Sequence, residues 1–490
     1  MCEENLKNRT IKGFGWNFLD NVLNRGISFV VGIVLARLIS PSEYGLIGIV
    51  LIFIAVFNSI VESGLGTALI RKNDCTEDDY NTVFHTNLIL SVILFFVFYV
   101  CSPLIADFFN EPQLNLLGKV MGCVLIINAL SIIQNTILLK KLDFKGKMFI
   151  SMGSSLTSGV IGITMAYKGY AIWSLVGQQI SRQGVYTLLL WIYNHWLPKL
   201  VFSWKSFKEL FGFGSKLLAA GIIDTTWNQI YQVVIGKFYA PATLGYYTKA
   251  NEFGSIFSSN LTSVVQSVSF PALSKIQDDL IRLKRGYQKV IKTTMLITFT
   301  LMLGMAAVAE PMIRVLIGDK WLPCVPFLQI VCFQMFLYPL HAINLSLLQV
   351  RGRSDLFLKI QILKKFIAVI PILLGIFVGI YWMLIGSVIT GITAYYINAY
   401  YSKPLLNYSI SEQVKDILPS FAVSLCMAMS VYSISYLPVK PIIVLCIQIG
   451  VGAILQITLC EIFRLSEYLE LKSIVLNAIK TQLKLSAILS

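Results

Sequence analysis

Apolar runs of about twenty residues, separated by short polar connections, recur from one end of the chain to the other. Hydrocarbon offers no water to backbone N–H and C=O groups, so such runs must satisfy those groups internally as helices. Twenty residues at a 1.5 Å rise span a hydrocarbon layer roughly 30 Å thick. The runs lie near residues 13–38, 44–70, 82–106, 115–138, 148–167, 171–193, 210–238, 243–269, 290–317, 325–348, 360–379, 381–401, 416–436 and 441–463. The expected fold is an all-α polytopic membrane protein with fourteen transmembrane helices. No connection is long enough for a separate soluble domain. Only 13% of the residues are charged, against roughly 25% in soluble domains.

The net charge of +15 is not a nucleic-acid signature, because the basic residues sit in short segments between apolar runs. The opening MCEENLKNRT is polar and leads into a full-length span, unlike a cleavable signal peptide. Nine cysteines are scattered, mostly inside apolar runs, without a metal-ligand spacing. No metal or other cofactor is expected.

Lys and Arg distribute unequally over alternate connections. One set holds Lys7, Arg9 and Lys12; Arg71 and Lys72; Lys140, Lys141, Lys145 and Lys147; and Lys199, Lys205 and Lys208. It continues with Lys275, Arg282, Lys284, Arg285 and Lys289; Arg351, Arg353 and Lys359; then Lys403 and Lys415, with Lys472 in the tail. The other set holds little beyond Lys168, Arg314, Lys320 and Lys440. A missed span would invert this pattern downstream, and it does not invert. Both termini are expected in the cytoplasm, in the inner (cytoplasmic) membrane.

The first span carries polar groups in the midst of its apolar sequence. At 3.6 residues per turn, Asn17, Asp20, Asn21, Asn24 and Ser28 share a face, with Arg25 beside them. The seventh span has Lys216, Asp224, Asn228 and Gln232 on one face, with Gln229 adjacent. An ionisable group at the centre of a membrane helix costs at least about 2.5–3.5 kcal/mol on insertion scales. Such stripes turn toward protein or a wet cavity. Either they form a functional site or they pair with one another to hold the bundle.

These two helices occupy matching places in a repeat. Gly212-Phe213-Gly214 echoes Gly13-Phe14-Gly15, and Lys237, Pro241 and Gly245 reproduce the spacing of Arg37, Pro41 and Gly45. Pro103-Leu104-Ile105 matches Pro311-Met312-Ile313, and Trp173 through Gly177 matches Trp382 through Gly386. Six spans per copy is an even number, so the copies point the same way across the membrane. The expected organisation is an N-terminal six-helix lobe over 10–200, a second over 208–405, two further spans over 410–464, and an amphipathic tail over 465–490. The first and seventh helices are expected at the seam between lobes. The tail suits a helix lying on the membrane surface, or else a frayed end.

The ordered series Ala36-Arg37-Leu38-Ile39-Ser40-Pro41-Ser42-Glu43-Tyr44-Gly45, then Gly64 through Lys72, then Thr82-Val83-Phe84, is specific. With its second copy from Pro241 to Gly245, Tyr247 and Ala250, it resembles the Wzx-type lipid-linked oligosaccharide flippases. These are polysaccharide transporters of the multidrug/oligosaccharidyl-lipid/polysaccharide exporter superfamily, and the teichuronic/colanic acid branch is the nearest in appearance. The likeness covers about residues 10–400. It implies a V-shaped bundle with a central cavity and alternating access. It also implies a substrate: an undecaprenyl-diphosphate-linked oligosaccharide destined for O-antigen, capsule or exopolysaccharide. A polysaccharide polymerase and glycosyltransferases of the same pathway are the implied partners. No invariant ligand residue of the family can be placed on this chain.

A diphosphate bearing sugars needs cations and hydrogen-bond donors in the cavity. The candidate substrate residues are Arg25, Asn21, Asn24, Arg182, Gln178, Lys216 and Asn228. Arg182 shares a face with Gln178, Gln179 and Tyr186; its alternative role is an ion pair with a carboxylate. Candidate ion-coupling residues are Asp20, Glu62 and Asp224, with Asn58 one turn before Glu62. Pairing of Glu62 with Arg25 is the alternative. His341 with Asn344 suits a proton site or a hydrogen-bonded core histidine. A membrane polymerase or ligase would need a catalytic cluster on a large outer loop, and the outer loops here are a few residues long. A multidrug exporter would favour an acidic aromatic cavity, and a peptidoglycan-precursor exporter is the third alternative.

Overall fold

The computed structural model of the chain describes residues 2–477 except Ser63 and Val475. Every regular element in it is helical. In order these are α1 (Cys2–Leu38), α2 (Pro41–Glu62), α3 (Leu65–Arg71), α4 (Glu77–Phe109), α5 (Gln113–Met121), α6 (Cys123–Lys140), α7 (Phe144–Tyr167), α8 (Ile172–Asn194), α9 (Trp204–Phe238) and α10 (Pro241–Ser274). There follow α11 (Leu280–Ala307), α12 (Ala309–Leu316), α13 (Cys324–Met335), α14 (Tyr338–Val350), α15 (Ser354–Ile367), α16 (Val369–Phe377), α17 (Ile380–Tyr400), α18 (Ser402–Leu406), α19 (Ile410–Ser433) and α20 (Pro441–Ile462).

Each predicted span is occupied by one helix or by two in tandem. The second breaks between α2 and α3, where Gly64 adopts φ 65°. The ninth breaks between α11 and α12. Eleven of the resulting segments among the described residues are long and apolar enough to cross a membrane. The other three, α8, α9 and α10, have 23, 35 and 34 residues. They have the length but carry too many polar side chains. The chain is a multi-pass membrane protein.

By compactness the chain divides into residues 1–248 and 249–490. This boundary differs from the repeat boundary near 200–208, because α9 packs on α2, α3 and α4 rather than on later helices. Sequence copy and compact unit are therefore different divisions of this chain.

In the first unit α1 lies on α7, α7 on α8, and α8 on α6. Small residues allow these approaches. A Cβ on Gly159 would stand 2.6 Å from Val31 Cγ2, and one on Gly64 2.7 Å from the Gly214 carbonyl oxygen. Pro41 and Pro241 each open a helix after a two-residue break from the helix before, through Ile39-Ser40 and Tyr239-Ala240. Pro fits there, since first-turn N–H groups have no intrahelical partner. Ser40 and Glu43 cap α2 reciprocally: Ser40 N donates to Glu43 Oε2 at 2.9 Å. Glu43 Oε1 also accepts from Ile172 N at 3.1 Å, tying down the start of α8.

In the second unit α11 packs on α19, α16 on α17, and α19 on α20. Its core contains Tyr287, Met295, Phe299, Leu340, Tyr408 and Val431. A polar knot crosses that core: Tyr287 Oη, Ser402 Oγ and Gln413 Nε2 all donate to Asn344 Oδ1, at 2.8, 3.0 and 3.3 Å. His341 is not joined to Asn344; its Nδ1 lies 3.1 Å from Asn398 Nδ2, the hydrogen-bonded core histidine of the two sequence readings.

Of the predicted tail 465–490, residues 478–490 lie outside the described residues. Its first part is helical over 466–474. Leu465, Tyr468 and Leu471 pack with Leu296, Val423 and Cys460. Lys289 pairs with Glu470, and Lys472 with Glu461.

Candidate functional site

A cavity of about 450 Å³ opens within the first unit. Leu51, Ile54, Ala55 and Asn58 of α2 form one wall, with Met121 and Val124 beside them. Gln179, Arg182 and Gln183 reach it from α8, Gln229 and Gln232 from α9, and Thr248 from the start of α10. The i, i+3, i+4 spacing of the α8 residues puts all three on one helix face. The helices too polar for an ordinary span are the ones that supply most of the cavity's polar groups.

Arg182 is the one charged side chain among the described lining residues. It is exposed and forms no ion pair or hydrogen bond with any described residue. The Thr248 hydroxyl is buried and also lacks a protein partner. Behind the wall the amides are held. Asn128 Nδ2 donates to Asn58 Oδ1 at 3.0 Å, and Gln183 Nε2 donates to Asn128 Oδ1 at 3.1 Å and Ser131 Oγ at 3.2 Å. Side chains fixed in this way present their remaining donors and acceptors in set directions. Arginine can grip phosphate oxygens with two parallel N–H bonds, and amides both give and accept hydrogen bonds, as sugar hydroxyls require.

The stripe on α1 divides. Asp20 is buried and accepts from Asn24 Nδ2 and Ser151 Oγ. Asn24 Nδ2 also donates to Ser151 Oγ at 2.8 Å, and Ser155 Oγ donates to Asn24 Oδ1 at 2.7 Å. This half of the stripe is spent on joining α1 to α7. Asn21 and Arg25 are exposed; Asn21 bonds only the Asn17 carbonyl, at 2.8 Å, and Arg25 has no described partner. Lys216, Asp224 and Asn228 on α9 are exposed, with Asn228 Nδ2 donating to Asp224 Oδ2 at 3.3 Å. Glu62 is exposed at the end of α2. Among the described residues no ion pair joins Arg25, Arg182 or Lys216 to Asp20, Glu62 or Asp224.

Of the sequence candidates, Arg182 lines the cavity, together with Gln179, Asn58, Gln229 and Gln232 from the surrounding stripes. Gln178 instead packs on α7, where its Cβ closes over Gly162. Arg25, Asn21, Lys216 and Asn228 do not line it. Gln183, Asn128 and Thr248 were not singled out by sequence. Gln183 follows Gln179 by one turn and was within reach of the same periodicity; Asn128 and Thr248 carry no such signal.

All of these lining residues fall inside residues 34–326, which match the sequence profile of the family described as polysaccharide biosynthesis protein. The chain belongs to that family. Among its relatives it is 30% identical to the teichuronic acid biosynthesis protein TuaB of Bacillus subtilis (strain 168) over 305 residues. That alignment covers 61% of this chain and 63% of TuaB, slightly less than two thirds of the relative. It is 26% identical to the lipopolysaccharide biosynthesis protein WzxC of Escherichia coli (strain K12), covering 86% of each chain. In fold it is similar to the lipid II flippase MurJ in an inward closed conformation, with a TM-score of 0.74 at 16% identity. That likeness covers 91% of this chain and 98% of MurJ. A multidrug resistance MATE family transporter in an inward-facing conformation matches with a TM-score of 0.58 at 16% identity, over 78% of this chain and 94% of that one. The polytopic helical fold read from the sequence is thus one that this chain shares with those two proteins.

Proposed function

We propose that this family member is a flippase. It moves an undecaprenyl-diphosphate-linked oligosaccharide across the cytoplasmic membrane by alternating access, for surface polysaccharide synthesis. The single observation that carries the reading is the composition of the cavity. Among the described lining residues its one charged group is the cation of Arg182, which has no described partner, set with amides, one free hydroxyl and an apolar wall. An unpaired arginine in the middle of the sixth predicted span is costly unless an anion or water meets it. A diphosphate supplies the anion, and the sugars supply partners for Asn58, Gln179, Gln183, Gln229 and Gln232. A carrier of organic cations would place a carboxylate there, and none is among the described lining residues. The roles of TuaB in teichuronic acid and of WzxC in lipopolysaccharide biosynthesis support the polysaccharide assignment.

Exposed Arg25, Asn21, Lys216 and Asn228 form a second tier, available to substrate in a state other than the one described. Glu62 and Asp224, exposed and without a cationic partner, are the remaining sites for ion coupling; Asp20 is spent on α7. The Lys and Arg distribution supports cytoplasmic termini, and the doubled motifs support two six-helix repeats over 10–200 and 208–405. The test is complementation. In a strain lacking its own oligosaccharide flippase, the wild-type chain restores surface polysaccharide, and Arg182→Gln at equal membrane abundance does not. Full restoration by Arg182→Gln removes the cavity from the transport path.

A further inference from the structure

The second compact unit has a cavity of its own, of about 620 Å³, at the ends of two membrane spans. One wall is the opening of α11, from Leu280 to Gln288; the other is Lys403 to Asn407, which closes the span that begins at Ile380. Lys284 Nζ donates to the Asn407 carbonyl and so pins the two walls together.

Three cations line this cavity, Lys284, Arg285 and Lys403, and no carboxylate is among the described lining residues. Lys284 is answered by Glu412 at 3.4 Å. Gln288 turns its amide to Asp416 at 3.2 Å. Arg285 and Lys403 are exposed and have no ion pair with a described residue. At the same mouth Leu280 is 50% and Ile281 68% exposed. They open a helix of 28 residues, long enough for the hydrocarbon and a headgroup layer together, so its first residues, ahead of the apolar run predicted at 290–317, suit the headgroup side.

The combination selects its occupant. Water would satisfy the cations but leave Leu280 and Ile281 wetted. Acyl chains would cover the leucine and isoleucine but leave the cations without a counter-charge. A soluble phosphate answers only the charges. A zwitterionic lipid brings a phosphate together with an ammonium group that the three cations repel. An anionic glycerophospholipid, with a net negative phosphodiester headgroup on two acyl chains, meets both needs. We propose that this cavity holds the headgroup of one anionic phospholipid, its phosphate between Arg285 and Lys403 and its chains against Leu280 and Ile281. The site lies in a different compact unit from the Arg182 cavity and does not depend on the transport reading.

The test is native mass spectrometry of the full chain in detergent micelles doped with equimolar phosphatidylglycerol and phosphatidylcholine. The wild type retains one phosphatidylglycerol in preference to phosphatidylcholine. Arg285→Gln with Lys403→Gln lowers that adduct by about tenfold or more, since each basic residue near a membrane surface contributes on the order of 1 kcal/mol to anionic-lipid binding. Leu280→Ser with Ile281→Ser, which keeps every charge, lowers it as well. Arg285→Lys with Lys403→Arg retains it, and thermal unfolding of each variant reports the fold. Wild-type retention in either of the first two variants overturns the proposal. So does displacement of the lipid by 10 mM inorganic diphosphate, which would assign the cavity to a soluble anion, or by equimolar undecaprenyl diphosphate, which would assign it to substrate.

Discussion

The carbonyl oxygen of Pro241 lies 1.8 Å from the place where a Cβ on Gly45 would stand, and that of Pro41 lies 2.0 Å from the equivalent place on Gly245. The two contacts are mirror uses of one motif, Pro followed four residues later by Gly, in the two copies of the repeat. At each, the first turn of one helix presses backbone against the first turn of the other. Only a residue without a side chain permits this. Gly45→Ala and Gly245→Ala are each expected to destabilise the protein by about 1–3 kcal/mol, the usual cost of overpacking. Gly184→Ala is the control: it sits in a helix with nothing within 4 Å of its Cβ position, and should be neutral or slightly stabilising. Thermal unfolding in detergent distinguishes the three. Equal melting temperatures would mean that the crossing relaxes without cost.

Arg182 should behave as a contact to substrate. Arg182→Gln is expected to abolish polysaccharide export at near-normal protein level, because no described carboxylate is stranded by its removal. Arg182→Lys should rescue only in part, a bidentate fork being replaced by a point charge. Surface polysaccharide and membrane abundance, measured together, check this.

Asp20 should behave as a structural group. Its carboxylate receives Asn24 and Ser151 between α1 and α7. Asp20→Ala leaves those donors unanswered in a buried place and is expected to cost about 1–3 kcal/mol. Lower membrane abundance, with specific activity per molecule retained, is the expected result. A well-expressed but inactive Asp20→Ala protein would instead restore it to the coupling mechanism.

Cysteine labelling separates the two halves of the α1 stripe. Asn21→Cys and Arg25→Cys are expected to react with small aqueous thiol reagents, and Asp20→Cys to be protected, following their exposed and buried positions. Arg25→Ala should leave abundance unchanged, since Arg25 has no described partner. Protection at both 21 and 25 would place that face against lipid.

Membrane-spanning helices were legible because the bilayer leaves helices as the only solution, and the Pro41/Gly45 and Pro241/Gly245 pairs because each carries a backbone requirement. Side-chain direction was less legible. Asp20 and Asn24 share a helix face with Asn17 and Asn21, yet their roles diverge because α7 offers Ser151 and Ser155 at that height. Periodicity fixes a face of one helix; it does not say which neighbour covers that face. Arg182 could be found because an arginine in mid-span is conspicuous on its own. Gln178, one turn before it, and Gln183, the next residue after it, could not be sorted without knowing that Gly162 receives the first.

The consecutive helices α8, α9 and α10 supply most of the polar cavity groups, and none is apolar enough to be counted among the spans. A translocating ribosome meets them one after another, about a hundred residues in which lipid is a poor host. They are therefore expected to leave the translocon late and together, sheltered by α2, α6 and α7 already in place. The polar groups that would suit this stretch to a polar cargo are also the reason it is expected to be the slowest part of the protein to enter the bilayer.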